Sequence, residues 1–92
     1  MKNPARVRCL FYGTVQGVCF RYSTRQVADG FAVDGFVRNL PNGSVELIAE
    51  GERCEVKRFI AAVETKMRGY IRERVVEWSD YLGVYSGFEI AR

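Results

Sequence analysis

Two hydrophobic periodicities alternate along this chain, and their order constrains its fold more than any other feature. Apolar residues recur at every second position in some segments, as in half-buried strands, and at helical spacing in others. In chain order the pattern predicts a strand at 6–12, a helix from Phe20 to the Asp29-Gly30 pair, strands at 34–39 and 44–50, a helix at 54–68, a strand at 70–80 and a short closing strand at 88–90.

The order β-α-β-β-α-β with a short extra C-terminal strand predicts an α+β fold, the ferredoxin-like two-layer sandwich. Its antiparallel sheet has the strand order 4-1-3-2. With 92 residues the chain has no room for a second core, so we expect a single domain over residues 1–92. Alternation in the fourth strand is imperfect, because Ile71 is out of phase with Val76 and Trp78, which indicates a bulge or an edge strand.

This topology brings two distant segments to one edge of the sheet. Strands one and two run parallel with strand three between them, so their C-terminal ends emerge about 10 Å apart. The first strand ends in the loop 13–20, and the second ends at Asn39 before a turn in which Pro41 and Asn42 are central and Gly43 is left-handed. The loop and Asn39 are therefore expected to share an edge.

Residue types exclude several classes of chemistry. The chain has no His, and its three cysteines lack CxxC spacing, so neither the usual zinc clusters nor Ser-His and Cys-His nucleophile pairs can form. We interpret Cys9 as a core residue and Cys19 as a small loop residue.

The net charge of +3 comes from an excess of basic residues, eleven of them Arg, and favours anionic ligands without demanding nucleic acid. No apolar leader or membrane-length apolar run is present, so we expect a cytoplasmic protein without a membrane partner.

The loop between the first strand and the first helix is the candidate binding site. Gly13 and Gly17 allow backbone N–H groups to point at one spot, and the helix N-terminus adds unpaired donors and partial positive charge. Arg21 falls in the first helical turn, where the macrodipole disfavours a cation by a few tenths of a kcal/mol and a bound anion would offset this. The alternative is that the glycines only turn the chain and Arg21 is solvated.

Two segments closely resemble the signatures of the acylphosphatase family. They are residues 13–21, GTVQGVCFR, and residues 35–46, GFVRNLPNGSVE, and the later segments AEGE at 49–52 and YSGFEI at 85–90 also match. The resemblance implies hydrolysis of the carboxyl–phosphate bond of acyl phosphates, with Arg21 binding the phosphoryl group and Asn39 orienting the attacking water. It implies no metal or cofactor. The implied phosphate-binding loop consists of Thr14, Val15, Gln16, Gly17, Val18, Cys19 and Phe20.

This chemistry agrees with the absence of His. A carboxylate leaving group is stable at neutral pH and needs no general acid, and a phosphate oxygen of the substrate can accept the proton of water. The expected partners are a small acyl phosphate, such as acetyl phosphate, 1,3-bisphosphoglycerate or carbamoyl phosphate, and inorganic phosphate. We expect a monomer with no specific nucleic-acid partner.

The chain departs from the family pattern at two places, and other readings remain. Residues 67–72 replace a frequent Gly-Pro-Pro stretch, and Phe36 occupies a position that is often Trp. Arg38 should point to the opposite sheet face from Asn39, and Arg72 and Arg74 are interpreted as solvated.

One alternative is a non-enzymatic ferredoxin-like module that binds RNA, although strand three lacks aromatic residues. Another is a module that binds carbamoyl phosphate within a larger enzyme.

Overall fold

Five strands and two helices account for most of the chain in a computed structural model that describes all residues, Met1–Arg92. The elements are β1 (Pro4–Gly13), α1 (Phe20–Ala28), β2 (Asp34–Asn39), β3 (Val45–Glu52), α2 (Arg53–Lys66), β4 (Ile71–Ser79) and β5 (Phe88–Ile90). The sheet order is β4-β1-β3-β2-β5, and all pairs are antiparallel except β2 with β5. The predicted ferredoxin-like α+β fold with the order 4-1-3-2 is confirmed, and β5 extends the sheet beyond β2.

The helices cover one face of the sheet, and the core lies between them and the alternating inward residues of the strands. Val7, Cys9 and Phe11 of β1 are fully buried, as are Val45, Leu47 and Ala49 of β3. From α1 the buried residues are Phe20, Thr24 and Ala28, which are spaced four apart and so share one helical face. The predicted inward positions in these strands are therefore confirmed.

Strand β4 is an edge strand, as its imperfect alternation indicates. It pairs only with β1, and the register between the two strands shifts between Tyr12 and Gly13. Helix α2 is shorter than its apolar spacing predicts, because it ends at Lys66 and Met67 leaves the helical conformation while its side chain stays buried. No helix is both long enough and apolar enough to cross a membrane.

The outer face of the sheet holds two buried carboxylates. Glu46 is 4% exposed and accepts hydrogen bonds from Nε of Arg8 at 2.7 Å and Nε of Arg38 at 2.6 Å. Burial favours the neutral acid, but the bonds from Arg8 and Arg38 outweigh it and lower the pKa of Glu46. Glu50, 1% exposed, accepts from the amides of Leu82 at 2.8 Å and Gly83 at 3.1 Å.

These contacts hold the segment 80–87 across the outer face. Arg6 donates to both Glu50 and the Tyr85 hydroxyl, and the Tyr85 ring packs edge-on against Phe36 at a centroid distance of 5.7 Å. Single-stranded RNA modules of this fold stack bases on open aromatic residues of this face. Here ion pairs and the covering segment occupy it, so the face does not offer that platform.

Candidate active site

The β1–α1 loop, residues 14–19, begins where β1 passes very close to β4. Gly13 has φ +132°, and a Cβ there would lie 2.4 Å from the Tyr70 carbonyl oxygen and 2.7 Å from the Arg72 amide nitrogen. The Thr14 amide donates to the Tyr70 oxygen at 2.9 Å. Glycine is therefore required at position 13 for both its backbone conformation and its lack of a side chain.

Most amides of this loop are free of backbone partners. Thr14 is the one residue between 14 and 19 whose amide donates to a backbone carbonyl. Gly17, with φ +79°, and Cys19, with φ +60° and ψ +28°, are both left-handed. Alternation of left-handed and ordinary residues curls a chain so that consecutive N–H groups converge on a concave anion-binding surface. The loop thus has the backbone form of an anion site.

Helix α1 continues this set of donors. Its N-cap residue, Cys19, makes no side-chain capping bond, and its first turn contains no acidic residue. The first amides of a helix have no intrahelical partners and carry the positive end of the macrodipole. The N-terminus of α1 is therefore neither capped nor neutralised by the protein's own side chains.

Gln16 fixes the loop against the end of β2. Its Nε2 donates to the carbonyl oxygens of Leu40 and Ser44, both at 2.9 Å. Between them lies the predicted turn, in which the Gly43 amide donates to Leu40 and Gly43 has φ +91°. The shared edge expected from the topology is thus held by direct contacts between the loop and the β2–β3 turn.

A cavity of about 400 Å³ opens at this edge. Its lining consists of Val15, Gly17, Cys19, Phe20, Arg21, Tyr22, Asn39 and Ile90. Arg21 is half-buried, is the one charged residue of the lining, and takes part in none of the ion pairs of the protein. An unpaired guanidinium, free amides and a carboxamide in one cavity can hold a phosphoryl group and orient a water molecule.

Only some of the predicted site residues line the cavity. Arg21 and Asn39 line the cavity together with four residues of the predicted phosphate loop: Val15, Gly17, Cys19 and Phe20. The other three residues of that loop do not line the cavity. The Thr14 amide donates to the Tyr70 carbonyl, the Gln16 side chain donates to the β2–β3 turn, and Val18 packs against the core.

Tyr22 and Ile90 are lining residues that the sequence reasoning missed. Tyr22 directly follows Arg21, so the start of α1 could have indicated it. Ile90 could not be found without knowing that β5 lies beside β2. Both contribute apolar surface rather than charge.

Three residues to which we assign no catalytic role lie outside the cavity: Arg38, Arg74 and Cys9. Arg38 pairs with Glu46 on the outer face, and Nε of Arg74 lies 2.6 Å from Oε2 of Glu64. Cys9 is buried in the core, and burial raises the pKa of its thiol to about 12. No group of three or more His, Cys, Asp or Glu side chains is arranged to hold a metal ion.

Fold and site together define a class: a ferredoxin-like protein with an uncapped loop-and-helix anion site at the joint ends of β1 and β2. A profile of the acylphosphatase family matches residues 7–90. The acylphosphatase of Acaryochloris marina is 39% identical over 92 residues, which are 100% of this chain and 99% of that protein. That of Caldanaerobacter subterraneus is 40% identical over 91 residues, 98% of this chain and 99% of that protein.

The fold gives the same result. The crystal structure of acylphosphatase from Bacillus subtilis superposes with a TM-score of 0.87 at 31% identity, covering 96% of this chain and 99% of that one. The chain belongs to the acylphosphatase family, as its two signatures indicated, and it is an enzyme that hydrolyses acyl phosphates.

Proposed function

We propose that Arg21 and the free amides of residues 15–19 bind the phosphoryl group of an acyl phosphate and that Asn39 orients the attacking water. The observation that carries this proposal is the presence of Arg21 and Asn39 in one cavity beside the uncapped N-terminus of α1. Donors that are already in place when charge develops on the phosphoryl oxygens stabilise the transition state without reorganising.

The reaction needs no group that titrates near neutrality. The water oxygen attacks phosphorus in line, the bond from phosphorus to the acyl oxygen breaks, and the carboxylate leaves with the electron pair. One proton of the water passes to a phosphoryl oxygen, and the products are a carboxylate and inorganic phosphate. Asn39 can accept a hydrogen bond from the water through Oδ1 without acting as a base. Positioning and charge stabilisation by the chain then supply the catalysis.

A hydrolysis assay tests this mechanism directly. We expect turnover of acetyl phosphate and benzoyl phosphate that is unchanged by EDTA and competitively inhibited by inorganic phosphate, because the cavity binds the phosphoryl half of the substrate. Loss of activity in EDTA, or noncompetitive inhibition by phosphate, would contradict the mechanism. Arg25→Ala is the matched control for Arg21→Ala, since Arg25 lies one turn further along α1, outside the cavity, and is paired with Asp29.

We further propose that the chain acts as a monomeric, cytoplasmic, single-domain enzyme without a specific nucleic-acid partner. Arg21, Asn39 and the free loop amides lie at one cavity within a single chain, which supports catalysis by a monomer. The covered outer face speaks against single-stranded RNA binding. Light scattering after size exclusion should give the mass of one chain, and anisotropy with single-stranded RNA at physiological salt should show no tight binding. A dimer, or tight RNA binding, would remove the corresponding part of this proposal.

A further inference from the structure

Tyr22 and Ile90 give the cavity an apolar rim for which phosphoryl binding has no use. Tyr22 is 59% exposed and Ile90 is 44% exposed, and both line the cavity that contains Arg21 and Asn39. A singly exposed apolar side chain is normal on a protein surface. Two exposed apolar side chains in the lining of the cavity that contains Arg21 are a more specific arrangement, because a ligand held at Arg21 would lie against them.

The topology explains how Ile90 reaches Asn39. Strand β5 runs parallel to β2 with Ile90 opposite Val37, and Asn39 follows Val37 on the same face of β2. Phe88, two residues before Ile90, is buried in the core beneath the helices, so Ile90 also lies on the helical face of the sheet. Its side chain therefore extends the surface beside Asn39.

The Tyr22 ring is held on α1. Its hydroxyl accepts a hydrogen bond from Nε2 of Gln26, one turn further along the helix, at 3.2 Å. The ring follows Arg21 in the first turn of the helix. An acyl group that leaves the phosphoryl site toward solvent would meet Tyr22 and Ile90 at the rim.

Beyond Ile90 the surface presents no unpaired cation to a second anionic group. A shallow depression continues there, and it is lined by Arg25, Glu89 and Ile90 among others. Arg25 is paired with Asp29, and Glu89 is an exposed carboxylate. A carboxylate or phosphate at the far end of a substrate would meet a neutralised cation and a negative charge.

We propose that Tyr22 and Ile90 form an acyl-binding subsite that selects uncharged, apolar acyl groups over acyl groups carrying a second anion. This inference rests on the proposed function for the phosphoryl half of the substrate. At about 25 cal/mol per Å² of buried apolar surface, roughly 55 Å² of contact between an aryl group and the rim corresponds to a preference of about 10-fold.

The test compares kcat/KM for benzoyl, acetyl and succinyl phosphate in wild type, Tyr22→Ala, Ile90→Ala and Leu82→Ala. Leu82 is the control, because it is also 59% exposed but lies in the segment across the outer face. Ratios between substrates are compared between variants, so differences in intrinsic reactivity cancel. We expect Tyr22→Ala and Ile90→Ala each to lower the benzoyl-to-acetyl ratio several-fold, with the two losses together amounting to about 10-fold. Leu82→Ala should behave like wild type.

A charge reversal tests the other half of the inference. Glu89→Lys should raise the succinyl-to-acetyl ratio several-fold and leave the benzoyl-to-acetyl ratio unchanged. Unaltered benzoyl-to-acetyl ratios in both rim variants, with Arg21-dependent turnover of acetyl phosphate intact, would overturn the subsite alone. Wild-type turnover of acetyl phosphate in both Arg21→Ala and Asn39→Ala would overturn the proposed site, and this inference with it.

Discussion

Replacing Arg21 with alanine should uncouple the protein's stability from phosphate. A ligand that binds only the native state stabilises it by RT ln(1 + [L]/Kd), which is about 1.4 kcal/mol at ten times Kd. Unfolding entropy is about 2.1 cal/mol/K per residue, so for 92 residues this free energy corresponds to a rise in Tm of about 7 °C. Wild type in phosphate at this multiple of its Kd should show that rise.

The variant should lose nearly all of it. A hydrogen bond to a charged group contributes roughly 1.5–3 kcal/mol, and a loss of about 2 kcal/mol raises Kd about 30-fold. At the same phosphate concentration the stabilisation then falls to about 0.2 kcal/mol, or a shift of less than about 1 °C. Without phosphate the variant should be as stable as wild type or slightly more so, because Arg21 lies at the positive end of the α1 macrodipole without an anionic partner.

The assay is thermal unfolding across a phosphate titration, with Arg25→Ala as the control for charge. Arg25 is on the same helix and carries the same charge, but it pairs with Asp29 and does not line the cavity. Arg25→Ala should keep the shift of about 7 °C. A full shift in Arg21→Ala would place the phosphate anchor elsewhere, and an equal loss in Arg25→Ala would mean that net charge rather than position determines binding.

Three further predictions concern neighbouring groups. Asn39→Ala should lower kcat by about two orders of magnitude or more in steady-state kinetics while leaving the phosphate-induced Tm shift intact, because the proposed role of Asn39 is to orient the water. A near-normal kcat would remove Asn39 from the mechanism. Cys19→Gly should keep kcat within about 3-fold, since the left-handed backbone at position 19 and not the thiol is needed. Cys19→Val should lose about 1–2 kcal/mol of stability in denaturant unfolding. An inactive glycine variant would contradict this prediction. In the native protein Cys19 and Cys54 should react with a thiol reagent, and Cys9 should react only after unfolding. Cys9 is buried, and its pKa is raised to about 12. A third thiol that reacts rapidly in the native protein would refute this prediction.

The same shift at Cys9 has a defined sign for stability. Its pKa is raised from 9.0 to about 12, so the native state retains a proton that the unfolded chain loses. This contribution to stability is complete below pH 9 and declines as the pH rises from 9 toward 12. Carboxylate pairing at Glu46 acts in the opposite direction. Its pKa is lowered in the native state, so that contribution is present above the ordinary carboxyl pKa and is lost as the pH falls below it.

Sequence periodicity predicted the fold because most elements carry one clear pattern. The alternating residues of β1 and β3 and the four-residue spacing of α1 correspond to the buried positions. The place of β5 could not be predicted, since three residues carry almost no periodicity and the pairing of Val37 with Ile90 is a long-range contact. Ile90 was therefore missing from the predicted site.

Burial on the outer face also depends on contacts that sequence does not reveal. Alternation assigns Glu46 and Glu50 to that face but does not predict that both are buried. Their partners come from β1, from β2 and from the segment 80–87, which has no regular structure. For the same reason the loop motif could not distinguish Gln16, whose side chain braces Leu40, from the residues that line the cavity.

In the proposed mechanism, the unpaired state of Arg21 makes the site selective for a phosphoryl group. Elsewhere on the sheet the chain pairs its half-buried arginines, since Arg6 binds Glu50 and Arg8 and Arg38 bind Glu46. In the cavity it supplies no carboxylate and leaves α1 uncapped, although both omissions disfavour the ligand-free state. A phosphoryl group bound there would remove this cost, and the charge that develops on its oxygens would strengthen the interaction at the transition state. By this mechanism a chain without His catalyses the hydrolysis, because an unpaired cation rather than a side-chain acid or base stabilises the developing charge.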